Sequence, residues 1–84
     1  MFYIYILKSL ISAKSYVGFT AGSIEDRVKE HNSGGNKWTK GHKPLKLVYY
    51  ESFICRQDAV NRELFLKSGI GNRVVKAIIQ EFDK

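Results

Sequence analysis

The stretch Phe2-Tyr3-Ile4-Tyr5-Ile6-Leu7, followed after the interval Lys8 to Lys14 by Ser15-Tyr16-Val17-Gly18-Phe19, decides the fold. Both segments are β-branched or aromatic almost throughout, and the interval between them is polar and turn-forming, so they read as two neighbouring antiparallel strands. Side chains alternate along a strand, which puts Tyr3 and Tyr5 on one face and Ile4 and Ile6 on the other. A glycine inside a strand costs stability unless a bulge or a close backbone approach requires it, and Gly18 is expected to mark one of these.

Working outward, Ser23-Ile24-Glu25-Asp26 resembles a capping box with Asp in place of Glu, and Ser33-Gly34-Gly35 supplies a stop. Together they predict a short helix over 24–32, with the apolar stripe Ile24, Val28 and then His31. Residues 45–53 (LKLVYYESF) predict a third strand, reached after a Lys-rich loop and Pro44. A helix starting near Arg56 or Asp58 should run to about Ser68, where Gly69 and Gly71 are expected to break it, and Val74 to Phe82 should carry a last helix. The order is β-β-α-β-α-α. Two strands precede any helix, so this is not an alternating βαβ chain. The expected class is α+β, a small three-stranded, mainly antiparallel sheet flanked by helices. Neither type of glycine-rich nucleotide-binding loop is present.

A chain of 84 residues is read as one domain over 1–84. Area scaling has about 60 to 65% of its surface buried on folding, an adequate but thin core. Hydrophobic residues at 44%, charged residues at 26%, one Pro and seven Gly exclude a collagenous or low-complexity chain. The formal net charge of +6 draws the protein to polyanions. No acidic residue occurs from His31 to Tyr50, whereas Lys37, Lys40, Lys43 and Lys46 lie there, so much of the excess is local. Cys55 is the single cysteine, which excludes an intramolecular disulfide and a cysteine-based zinc cage and fits a reducing, cytoplasmic setting. The apolar start Met1 to Leu7 lacks a basic region before it and Lys8 interrupts it, so it reads as a strand rather than a signal peptide. No run approaches the 18 or so apolar residues needed to cross a bilayer, and no membrane partner is expected.

Tyr3-Ile4-Tyr5, ten further residues, Tyr16-Val17-Gly18, and then Arg27 and His31 on a helix resemble the GIY-YIG nuclease superfamily. The continuation His31-Asn32-Ser33-Gly34, the Lys-rich loop ending in Pro44, and Ala59 to Lys67 with Glu63 resemble its short stand-alone bacterial branch. The chain departs from the pattern at Tyr3, where the family name carries Gly. The resemblance implies divalent-metal-dependent hydrolysis of DNA phosphodiester bonds, with Tyr5, Tyr16, Arg27, His31 and Glu63 as catalytic residues. Glu63 is the implied ligand for Mg²⁺ or Mn²⁺, a hard cation that takes oxygen donors.

The residues themselves allow plainer roles. Arg27 and His31, four apart, share a helical face, where a guanidinium can hold a phosphate through paired N–H donors. Arg27 can equally pair with Glu30, and His31 can simply be a cation favoured at a helix C-terminus. Glu63 stands at the edge of a face with Ala59 and Leu66, and can pair with Lys67 instead of a metal. Asn72 reads as a late polar site residue or as a helix cap. Lys37, Trp38, Lys40, Lys43 and Lys46 are the expected DNA contacts, the lysines neutralising phosphates and the indole stacking on a base or sugar. The implied partner is DNA, branched or damaged forms included, within a larger repair or recombination complex. The rival readings are a catalytically weak nucleic-acid-binding module and an accessory subunit of a larger nuclease.

Overall fold

A computed structural model describes residues 1–34 and 37–82. Strands β1 (Phe2–Ser9), β2 (Ser15–Thr20) and β3 (Leu45–Phe53) form one sheet in the order β2-β1-β3. Both neighbours of β1 run antiparallel to it. Helices α1 (Ile24–Asn32) and α2 (Lys37–His42) lie between β2 and β3, and α3 (Arg56–Lys67) and α4 (Gly69–Phe82) follow β3. The fold is the expected α+β arrangement, with order β-β-α-α-β-α-α.

The alternation along β1 divides the core. Ile4 and Ile6 pack with Val17, Ala59, Leu66 and Val75 on the face covered by α3 and α4. Tyr5 and Leu7 pack on the other face with Leu45, against Tyr16, Val28 and Trp38. The β1–β3 register slips between Ile6 and Leu7, which pair with Tyr49 and Leu47. The extra residue, Val48, therefore joins Tyr49 in the α3/α4 core, the two-against-one count of a bulge.

Ser23 caps α1 as expected, its hydroxyl accepting from the Asp26 backbone N–H at 3.2 Å. Gly34 takes φ +86°, the left-handed conformation that ends a helix with little penalty in glycine. Gly35 lies outside the described residues. Two expectations need correction. The Lys-rich stretch holds a helix, α2, where a loop was expected, and Gly69 and Gly71 belong to α4 rather than to the gap before it. The chain turns at Ser68, whose hydroxyl donates to the Phe65 carbonyl and accepts from the Gly71 N–H at 3.1 Å. Gly71 is buried there because a Cβ would overlap the Phe65 carbonyl. It is a packing glycine, required by the close approach of α4 to the end of α3.

Candidate active site

Gly18 is the Cα partner of Tyr5 across the β1–β2 pair, and a Cβ on it would run into the Tyr5 phenol. The glycine lets the Tyr5 ring lie across β2, an edge strand of the sheet. The close approach that the sequence predicts at Gly18 is thus made by a side chain of the neighbouring strand. The Tyr5 hydroxyl ends 2.9 Å from His31 Nε2, joining β1 to the last turn of α1. Both residues are buried, Tyr5 at 0% exposure and His31 at 3%.

Burial lifts the Tyr5 phenol above its ordinary value of 10, and the Arg27 guanidinium beside it pulls the other way without cancelling the effect. The negative charge of Glu63 adds to the upward push, so α3 presents its carboxylate close enough for the phenol to sense it. Burial holds the His31 imidazole below its ordinary 6.5, with the charge of Arg27 acting in the same direction. The lowered value favours the neutral imidazole, and the tautomer protonated at Nδ1 leaves Nε2 as the acceptor facing the phenol.

Arg27 Nη1 pairs with Glu30 Oε2 at 3.0 Å, the plain surface pair that helix spacing allows. Its Nε is different: it is buried and finds no hydrogen-bond partner among the described residues. A buried N–H without an acceptor is costly, and a phosphate oxygen would supply one. Glu63 is partly buried and pairs through Oε2 with Lys67 Nζ at 3.0 Å, while Oε1 makes no hydrogen bond among the described residues. A carboxylate with one free oxygen suits a hard divalent cation, provided the half-exposed Lys67 can move aside. Among the described residues no three His, Cys, Asp or Glu side chains converge, so Glu63 would be the main protein ligand, with water and phosphate oxygens completing the shell.

An aromatic chain extends from this cluster. Tyr16 lies 4.9 Å from the His31 ring and 5.5 Å from Trp38, and Trp38 stacks on His42 at 4.3 Å between centroids. Lys67 Nζ stands 5.9 Å above the Tyr16 ring. Tyr5, Tyr16, Arg27, His31 and Glu63 are thus brought together from four elements. The expected DNA contacts are not all brought to one place. Lys37 and Lys40 are exposed on α2, Lys43 is exposed just after it, and Lys46 stands 5.0 Å above the Phe82 ring of α4. Trp38 is half-buried, with one neighbour in His42 and another in Tyr16.

Sequence reasoning missed Asn32. Its side-chain amide donates to the Leu45 carbonyl at 3.0 Å and its carbonyl accepts from the Leu45 N–H at 2.6 Å. This two-point clamp fixes the end of α1, and hence His31, against the start of β3. Ser9 was missed too: buried at 1% exposure, it donates to the His42 carbonyl at 2.6 Å and holds the end of α2. The position of Asn32 at the end of a helix whose glycine stop follows was the signal for the first; nothing in the sequence marks the second.

The short antiparallel sheet thus carries a tyrosine from each of two adjacent strands, with arginine and histidine one helical turn apart beside them. The family model for the GIY-YIG catalytic domain matches residues 1–72, and the chain belongs to the GIY-YIG family. A UPF0213 protein of Clostridium perfringens is 40% identical over 79 residues, covering 93% of this chain and 83% of that protein. A UPF0213 protein of Staphylococcus saprophyticus is 39% identical over 77 residues, covering 90% and 92%. One from Haloquadratum walsbyi is 42% identical over 67 residues, covering 79% and 73%. No solved structure matches the chain.

Proposed function

We propose that the chain is an endonuclease that hydrolyses DNA phosphodiester bonds with the help of Mg²⁺ or Mn²⁺ held at Glu63. The observation that carries this reading is the 2.9 Å approach of the Tyr5 hydroxyl to the neutral His31. A phenol raised above 10 is a poor base by itself. Paired with a neutral imidazole it becomes a relay: as Tyr5 takes a proton from the attacking water, its own hydroxyl proton passes to His31 Nε2. No free phenolate has to form.

Arg27 accounts for access. Its guanidinium lies beside the phenol and is part-exposed, with an orphaned Nε. A phosphate that draws the guanidinium toward itself uncovers the Tyr5 hydroxyl for water and satisfies Nε in the same movement. Tyr16, half-buried beside His31, borders the opening and orients the water or a phosphate oxygen. Glu63 would hold the metal, which when bound would neutralise the charge that builds on the phosphate oxygens. Lys67 must release Glu63 first, and Oε1 is already free to begin that exchange.

The complete burial of Tyr5 and the Glu63–Lys67 pair favour a second reading, a nucleic-acid-binding module in which the same residues only pack. The two separate in one experiment. Supercoiled plasmid incubated with the purified chain should be nicked in Mg²⁺ or Mn²⁺ and remain intact in EDTA, and Glu63→Gln should bind DNA without nicking it. Full nicking by Glu63→Gln removes the metal role, and DNA binding without nicking in either metal supports the binding module. A panel of duplex, flapped, branched and damaged DNAs then identifies the preferred form.

A further inference from the structure

Two hollows meet at Ser15 and Asn72. The first, of about 250 Å³, lies against Tyr16, Trp38, Leu66 and Lys67. The second, of about 450 Å³, continues between Ala13 and Lys14 of the β1–β2 loop and Lys76, Ile79 and Gln80 of α4. Because Ser15 and Asn72 line both, the hollows form one trough that begins at Tyr16 and runs along α4. Its charged lining is entirely cationic, Lys67 at the head and Lys14 and Lys76 farther along, with no carboxylate among the lining residues. Lys14 and Lys76 are exposed, and their ammonium groups have no ion pair or hydrogen bond among the described residues. The Ser15 hydroxyl and Asn72 amide are likewise without side-chain partners there, and both can donate to phosphate oxygens.

We propose that this trough holds the phosphodiester backbone of the DNA on one side of the bond that is cut, with Lys14 and Lys76 neutralising its phosphates and Ser15 and Asn72 donating to them. This rests on the nuclease reading and adds to it a strand path. The path leaves Tyr16 between α4 and the β1–β2 loop, whose Ser12 hydroxyl stands 3.3 Å from His42 Nδ1 at the end of α2. A strand that follows the trough passes Tyr16 and Trp38 at its head, beside Lys67, and then Lys14 and Lys76 along α4. Single lysines on a surface are ordinary. What singles these out is a continuous concavity, free of acids, that opens at a catalytic tyrosine.

The test measures binding by fluorescence anisotropy of a labelled duplex, in a Glu63→Gln background so that nothing is cut. Adding Lys14→Ala and Lys76→Ala should flatten the fall of log K with log salt by about 1.8, at roughly 0.9 for each phosphate that is no longer neutralised. The charge reversals Lys14→Glu and Lys76→Glu should weaken binding further, with a thermal melt matching the parent to show that the fold is intact. An unchanged slope in the alanine variant, together with unchanged affinity in the reversed one, overturns the trough alone. No salt-dependent DNA binding in the Glu63→Gln parent overturns the trough and the nuclease reading together.

Discussion

At the scale of single residues, the Tyr5–His31 hydrogen bond joins two groups whose titration bears on stability. His31 is held below 6.5 when folded, so the folded state resists a proton that the unfolded chain accepts. Its contribution is fully present above pH 6.5 and is lost as pH falls toward the lowered folded value. Tyr5 has the opposite sign: raised above 10 when folded, it stabilises below pH 10 and loses that contribution as pH rises through its folded value. Urea titrations should show a stability plateau between those limits, and His31→Asn should reduce the loss seen between pH 6.5 and 5. Gly18→Ala should cost about 1 to 3 kcal/mol in the same assay, since the added methyl meets the Tyr5 ring and the core must yield. A cost near zero would place the ring elsewhere. The residues of the cluster were singled out by the resemblance to the GIY-YIG pattern, while strand alternation put Tyr3 and Tyr5 on one face and helix spacing put Arg27 beside His31. The hydrogen bond itself was not, because 26 residues separate its partners and no periodicity reaches that far.

At the scale of elements, two glycines in helices should respond in opposite directions. Gly41 in α2 has open space where a Cβ would sit, so Gly41→Ala should stabilise by up to about 1 kcal/mol through helix propensity. Gly71→Ala in α4 would drive a methyl into the Phe65 carbonyl and should destabilise despite the same propensity gain. Thermal melts of the two variants check the pair, and a rise in both would show that the α3–α4 corner can open freely. Glu51 anchors the other side of α3, accepting from Arg62 Nε at 2.9 Å and Nη2 at 3.0 Å, and from the Tyr49 hydroxyl. Burial pushes Glu51 upward, but these bonds outweigh it and hold the carboxyl below its ordinary 4.5. Arg62→Ala should therefore cost about 1 to 3 kcal/mol at neutral pH, a cost that shrinks as pH falls through the Glu51 titration. Urea titrations at pH 7 and pH 3.5 provide the check. The strands and α1 were readable because their caps and periods are local. α2 was not, since six residues with one glycine carry no helical stripe, and α4 was started too late because the space around Gly71 is a tertiary fact.

At the scale of the whole molecule, charge and catalysis can be separated. On the proposed function, the net charge of +6 should give a DNA-binding term that is steep in salt. Replacing Lys37, Lys40 and Lys43 by Ala should flatten log K against log salt by nearly 3, as three phosphates go without a neutralising ammonium. Lys46 should contribute less, since it lies over Phe82. An unchanged slope in the triple variant would move the DNA path away from α2. Among the described residues no helix is long and apolar enough to cross a membrane, which agrees with the sequence reading on that point. Tyr5 moves a proton during cleavage, on this account, instead of only filling the core, and the single-turnover cleavage rate at saturating enzyme tests that claim most directly. Tyr5→Phe keeps the ring over Gly18 and removes the hydroxyl, so the rate should fall on the order of 10² to 10⁴ while DNA binding holds. Tyr3→Phe is the control on the same strand face, where the ring packs edge-on against Tyr50 6.2 Å away, and its rate should stay near wild type. Equal and small effects from both substitutions would contradict the relay.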